Sequence, residues 1–262
     1  MMTENQVAFQ RLVDIVAELR KKCPWDRKQT KESIRHLTIE ETYELSDAIL
    51  ENDYAEMKVE LGDLLMHTIF YASMAEEAGE FSLAEALQTQ IDKLIRRHPH
   101  IYGDLQGASE AEIKANWEQI KAQERAEKGE DRRSALDGVP ESLPSLIKAQ
   151  RMQEKAANMG FDWQESEAVW EKVEEEIREF REAPTHEEQE AEMGDLLFAL
   201  INYCRHKGIN AEDALSKSSR KFKQRYHYIE TQGWDKNKQV SDMSLEEMDR
   251  LWEEAKEKET HT

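Results

Sequence analysis

The sequence predicts an all-α protein built from two related helical modules in tandem. Three observations carry this. Helix formers dominate a chain of 262 residues that holds only 10 Gly and 5 Pro, a composition that favours helix over sheet. No run of alternating β-branched and polar residues makes a strand. One acidic pattern with helical spacing occurs once in each half.

In chain order, Val7, Leu12, Ile15, Val16 and Leu19 recur at helical spacing, predicting a first helix over 7–19 that stops before Pro24. A loop through Trp25 and Asp26 leads to helices over 33–51 and 54–77. In the latter, Leu61, Leu64, Leu65, Ile69 and Ala72 form the apolar face. A fourth helix follows Phe81 and ends at His98, because proline at 99 disfavours helix in the residue before it. Another helix is expected over 117–126. The stretch KGEDRRSALDGVPESLP is polar and holds two prolines and two glycines, which marks a linker. The predicted organisation is therefore an N-terminal module over 1–127, a linker over 128–144 and a C-terminal module over 145–262. The second module carries helices over 146–158, 166–183, 187–207, 211–232 and 245–258.

The repeat fixes the two-module reading. Glu40-Glu41-Thr42-Tyr43-Glu44 matches Glu175-Glu176-Ile177-Arg178-Glu179 at an offset of 135. Glu60-Leu61-Gly62-Asp63-Leu64-Leu65 matches Glu192-Met193-Gly194-Asp195-Leu196-Leu197 at 132. Lys93 and Arg97 recur as Lys221 and Arg225 at 128, and Trp117 and Lys121 as Trp252 and Lys256 at 135. With 56 acids in the chain, EExxE alone means little. Glu76-Glu77-Ala78-Gly79-Glu80 and Glu253-Glu254-Ala255-Lys256-Glu257 both show it, without the following ExGDLL. The compound pattern in order, twice, carries the inference.

The spacing implies chemistry. Residues i and i+3 share a helix face, so Glu41 projects with Glu44, Glu60 with Asp63, Glu176 with Glu179 and Glu192 with Asp195. Four carboxylates converging at a helical seam repel one another, which raises their pKa values. A hard divalent cation removes the repulsion, and an oxygen-only donor set suits Mg²⁺ or Mn²⁺ rather than zinc. The bland alternative is a solvated acidic face. Gly62 and Gly194 cost about 1 kcal/mol each in mid-helix, and their recurrence predicts a close approach there. Lys93 with Arg97, and Lys221 with Arg225, lie one turn apart, as phosphate contacts would. Trp117 with Lys121, and Trp252 with Lys256, would suit a base stacked beside phosphates; a core tryptophan and surface ion pairs are the alternative.

A net charge of −20 argues against nucleic-acid or anionic-membrane partners. Cys23 and Cys204 are the only cysteines, too few and too far apart for a thiolate site or disulfide framework. No signal peptide or membrane-length apolar run is seen, so a cytoplasmic location is expected. There is no Walker-type phosphate loop and no GxSxG nucleophile. No histidine follows a Glu by three, which weakens a redox-active dimetal bundle. His67 has Ala199 as its counterpart and reads as structural or peculiar to the first half.

Taken together, EExxE with ExxD on paired helices resembles the all-α nucleoside triphosphate pyrophosphohydrolases of the MazG type. CPWD (23–26), RRHPH (96–100) and SALDGVPESLPSLIKAQ (134–150) resemble the full-length bacterial two-domain form. The resemblance implies a homodimer whose helices complete each other's bundles. It also implies hydrolysis of nucleoside triphosphates, ribo- and deoxyribo-, to monophosphate and pyrophosphate, in nucleotide pool control or house-cleaning. By resemblance, Glu176, Glu179, Glu192 and Asp195 hold Mg²⁺ and Glu175, beside them, positions or activates water. Lys221 and Arg225 neutralise phosphate, Trp252 and Lys256 hold the nucleotide, and the C-terminal copy is the working one. Glu41, Glu44, Glu60 and Asp63, beside Glu40, are the N-terminal metal positions; Lys93, Arg97, Trp117 and Lys121 are the N-terminal nucleotide positions. The rival reading is a non-catalytic helical protein that binds metal or nucleotide for regulation.

Overall fold

A computed structural model describes residues 2–103, 107, 109, 112–113, 116–117, 120, 123–124, 134–234 and 238–259. Among these there are ten α-helices and no strand, and no helix is long and apolar enough to cross a membrane. The chain divides into two compact units, Met1–Asp131 and Arg132–Thr262. The helix expected over 117–126 falls largely outside the described residues, and Lys121 lies outside them.

In the first unit, α1 (Glu4–Lys22), α2 (Lys31–Glu51), α3 (Tyr54–Glu77), α4 (Leu83–Arg97) and the single turn α5 (Pro99–Tyr102) follow one another. Their ends are chemically specified. Thr3, Thr30 and Ser82 open α1, α2 and α4 with reciprocal capping boxes, each satisfying backbone donors that a helix start leaves unpaired. Asn52 closes α2 in the left-handed conformation at φ 55°, a role asparagine tolerates. Asp53 opens α3 by accepting from the backbone N–H of Ala55 and Glu56 at 3.0 Å each. A two-residue link therefore folds α3 back along α2 as an antiparallel hairpin. Val16, Ile34, Ile69 and Phe70 form the core, with Leu12, Leu37 and Met66 packed on it.

The second unit holds α6 (Ser145–Asn158), α7 (Ser166–Glu182), α8 (His186–His206), α9 (Ala211–Trp234) and α10 (Leu245–Glu259). Pro184 follows the end of α7, and Thr185 opens α8 with a capping box to Glu188, so α7 and α8 repeat the hairpin of α2 and α3. Val169 and Val173 are fully buried on α7. A separate apolar cluster of Ile229, Met243 and Leu251 ties α9 to α10.

Two expectations are corrected. The apolar residues of α3 do not form one buried face: Ile69, Phe70 and Ala72 are buried, whereas Leu61 and Leu65 are exposed. Their counterparts Met193 and Leu197 are exposed as well. The spacing keeps Leu61, Leu65, Ile69 and Ala72 on one side of the helix, so the difference runs along its length: the core of the unit reaches Met66, Ile69 and Phe70 and stops short of Leu61 and Leu65. Nor do the repeated glycines absorb a close contact within the chain. A Cβ at Gly62 or Gly194 would meet nothing within 4 Å.

Candidate metal and nucleotide site

Each hairpin gathers its acids. In the first unit one carboxylate oxygen from each of Glu41, Glu60 and Asp63 lies within 4.8 Å of the others. Glu60 is only 3% exposed, and its Oε2 finds no partner among the described residues. Burial, with Glu41 and Glu44 beside it, pushes its pKa up to about 7. Burial raises Glu41 as well, with Asp63 and Glu44 adding to it. Glu44 thus stands close to the trio without closing it. His67 is buried one turn beyond Asp63, and its Nδ1 is likewise unpartnered.

In the second unit the trio is Glu176, Glu179 and Glu192, again with oxygens within 4.8 Å. Burial raises the pKa of Glu192, and Glu179, Asp195 and Glu176 push the same way. The donors are all hard oxygens, crowded and destabilised by mutual repulsion, which fits Mg²⁺ or Mn²⁺. Asp195, the fourth sequence position, faces the same place: it lines a cavity together with Glu176.

That cavity, about 380 Å³, opens between α6, α7 and α8, a volume in the range of small-ligand pockets. Phe161, Trp163, Val169 and Phe198 give it an apolar wall, and Gln153, Asn202 and Arg205 contribute polar groups. Lys172 stands at its acidic edge, with Nζ 2.6 Å from Glu176 and 2.8 Å from Glu175. The two carboxylates hold its pKa above the ordinary lysine value. Asp162 braces the far side. It accepts from Arg205 Nη1 at 2.9 Å and lies 2.9 Å from His206 Nε2. The Arg205 hydrogen bonds, with His206 adding to them, hold its pKa down to about 2.

The first unit carries apolar side chains at the equivalent positions. At the offsets of the repeat, Phe70 stands for Asn202, Met66 for Phe198, Ile34 for Val169 and Leu37 for Lys172. All four belong to its apolar core.

The basic and aromatic candidates form a different cluster. Arg225 forks onto Glu259, with Nη2 to Oε2 at 2.7 Å, and its guanidinium lies 5.3 Å from the Trp252 ring centroid. Trp252 packs on Phe222, Lys221 adds to the field that lowers Glu259, and Lys256 pairs with Glu253 at 2.7 Å. None of the four lines the cavity. The first unit repeats the arrangement: Arg97 and Arg96 both pair with the buried Glu124. Glu124 and Glu259 are 135 positions apart, so an arginine–glutamate brace recurs in both units. Sequence reasoning missed these two acids, along with Lys172 and the cavity wall.

The nucleotide pyrophosphohydrolase domain model named MazG matches residues 29–102 and again 164–229, the two acidic hairpins. The nucleoside triphosphate pyrophosphohydrolase of Escherichia coli (strain K12) is 43% identical over 263 residues, covering 97% of this chain and 98% of that protein. The nucleoside triphosphate pyrophosphohydrolase/pyrophosphatase MazG of Thermotoga maritima is 42% identical over 257 residues, with 97% and 98% covered. An uncharacterised protein of Bacillus subtilis is 44% identical over 257 residues, 96% of this chain and 52% of its own length.

Proposed function

Because the chain belongs to the MazG nucleotide pyrophosphohydrolase family, we propose that it hydrolyses nucleoside triphosphates, ribo- and deoxyribo-, to monophosphate and pyrophosphate in a Mg²⁺-dependent reaction. The second unit performs it, in the service of nucleotide pool control in the cytoplasm. The observation that carries this is the cavity beside the second acidic trio, where the first unit has a packed apolar core.

The base enters between Phe161, Trp163 and Phe198, and the triphosphate extends toward α7 and α8. Glu176, Glu179, Glu192 and Asp195 would hold the cation, and a Mg²⁺ ion bound there would supply charge against the phosphates and lower the pKa of a water. Glu175 orients the attacking water and takes its proton. Lys172 exchanges part of its pairing with Glu175 and Glu176 for a phosphate oxygen, stabilising charge as it builds. The water oxygen attacks the α-phosphorus in line, the α–β bridging bond breaks, and pyrophosphate leaves. For Arg225 to serve as a phosphate contact it must release Glu259; Lys221, Trp252 and Lys256 complete that contact surface. Dimerisation covers the exposed Met193 and Leu197 of α8.

The test is incubation with each NTP and dNTP, with and without Mg²⁺, followed by product analysis. Monophosphate with pyrophosphate is expected. Diphosphate with orthophosphate would overturn the bond assignment, and metal-dependent nucleotide binding without turnover would favour a regulatory binding protein.

A further inference from the structure

Gln153 is the single buried residue of α6, whereas the single buried residue of α1 is Val16. A buried amide costs stability unless its polar atoms are satisfied. One of them is. Nε2 donates to the backbone carbonyl of Phe198 at 2.8 Å, and because that carbonyl accepts only, the amide orientation is fixed. Oε1 is then left buried and without a partner among the described residues, in a side chain that belongs to the cavity wall. The residue is 7% exposed.

Asn202 faces the same cavity and is also buried. Its Oδ1 accepts from Arg205 Nε at 3.0 Å and Nη2 at 2.8 Å, and Arg205 is held in turn by Asp162. The offer Asn202 has left is its Nδ2 donor. Two residues of the cavity wall therefore keep an unmet amide group, an acceptor on Gln153 and a donor on Asn202, beside aromatic side chains.

We propose that Gln153 is the residue that reads the nucleobase, accepting a hydrogen bond from an N–H on the base edge, with Asn202 donating to the acceptor next to it. This rests on the cavity being the base site of the reaction proposed above. All four common bases carry such a neighbouring donor and acceptor: the amino groups of adenine and cytosine, the ring N–H of guanine and uracil. The pair thus selects for an edge donor rather than for one base, and the substrate class is any nucleoside triphosphate whose base keeps that donor. Asp162 and Arg205 are positioning residues, acting through Asn202.

The experiment compares kcat/KM for ATP and for purine riboside triphosphate, which lacks the amino group and adds no bulk. UTP and N3-methyl-UTP form a second pair. The wild-type protein is expected to favour ATP and UTP on the order of tenfold or more, the worth of one hydrogen bond to an otherwise orphaned buried acceptor. Gln153→Met, of similar length and without the acceptor, is expected to bring the ATP ratio close to one. Equal rates on both members of each pair in the wild type would overturn the proposal, as would an undiminished ATP ratio in Gln153→Met. Calorimetric titration of the wild-type protein with AMP and with purine riboside monophosphate reads the same ratio without catalysis and without a variant. Preference in binding with no turnover would leave the base-reading role standing and sink the reaction; turnover with no preference in binding or rate would do the reverse.

Discussion

At the scale of single residues, the acidic trios work against their own fold, a cost that a bound cation would offset. Glu60 has a folded-state pKa of about 7 against an ordinary 4.5, and Glu41 and Glu192 are raised as well. The folded protein therefore holds protons that the unfolded chain releases between about pH 4.5 and 7. Stability is greatest below that window and falls as pH rises through it. Asp162, lowered to about 2, acts in the opposite sense. Its contribution is complete above pH 4 and is lost only as pH falls toward 2. Protein treated with a chelator should show a lower Tm at pH 8 than at pH 5.5, Glu60→Gln should reduce the difference, and Mg²⁺ should raise Tm more at pH 8. A flat Tm across this range would remove the acidic clusters from the account. Lys172 makes a second prediction. Lys172→Met should leave the helices intact by circular dichroism and lower kcat/KM about 10- to 100-fold, the scale of a hydrogen bond to a charged group.

At the scale of elements, the repeat places α7 and α8 where it places α2 and α3, but the two mid-helix glycines are surplus within the chain. Gly194→Ala should stabilise the protein by about 0.5–1 kcal/mol in urea denaturation, because helix propensity improves and the added methyl meets open space. Lower activity in that variant despite higher stability would show that substrate or a second protomer comes close to Gly194. Most of this level was legible in the sequence. Periodicity located the helices, and Pro24 and Pro99 marked where the first and fourth stop. The acids were legible too, since i, i+3 spacing on paired helices leaves them little choice but to converge. The cavity was not. Its wall comes from Gln153, Phe161, Lys172, Phe198 and Asn202, on three helices and a loop, and no local spacing marks them. The signal lay in comparing the halves: Asn202 against Phe70 and Lys172 against Leu37 are polar replacements at core positions of the repeat. Glu124 and Glu259 escaped notice for the opposite reason, being two acids among 56 whose partners lie 27 and 34 residues away.

At the scale of the whole molecule, two units share one blueprint and have parted in what they do with its interior. The first fills the space between its helices with Ile34, Leu37, Met66 and Phe70. The second leaves room there, lines it with amides and aromatics, and sets Lys172 at its acidic edge. Both keep an acidic trio, and beside the second one lies a cavity lined in part by Glu176 and Asp195. The central claim is this division of labour. It is tested most directly by the rate of pyrophosphate release from ATP with saturating Mg²⁺ in Glu176→Ala and Glu41→Ala, each checked for unchanged helicity. The account predicts that release is abolished in Glu176→Ala and largely retained in Glu41→Ala. Equal loss in both, or loss confined to Glu41→Ala, would contradict it.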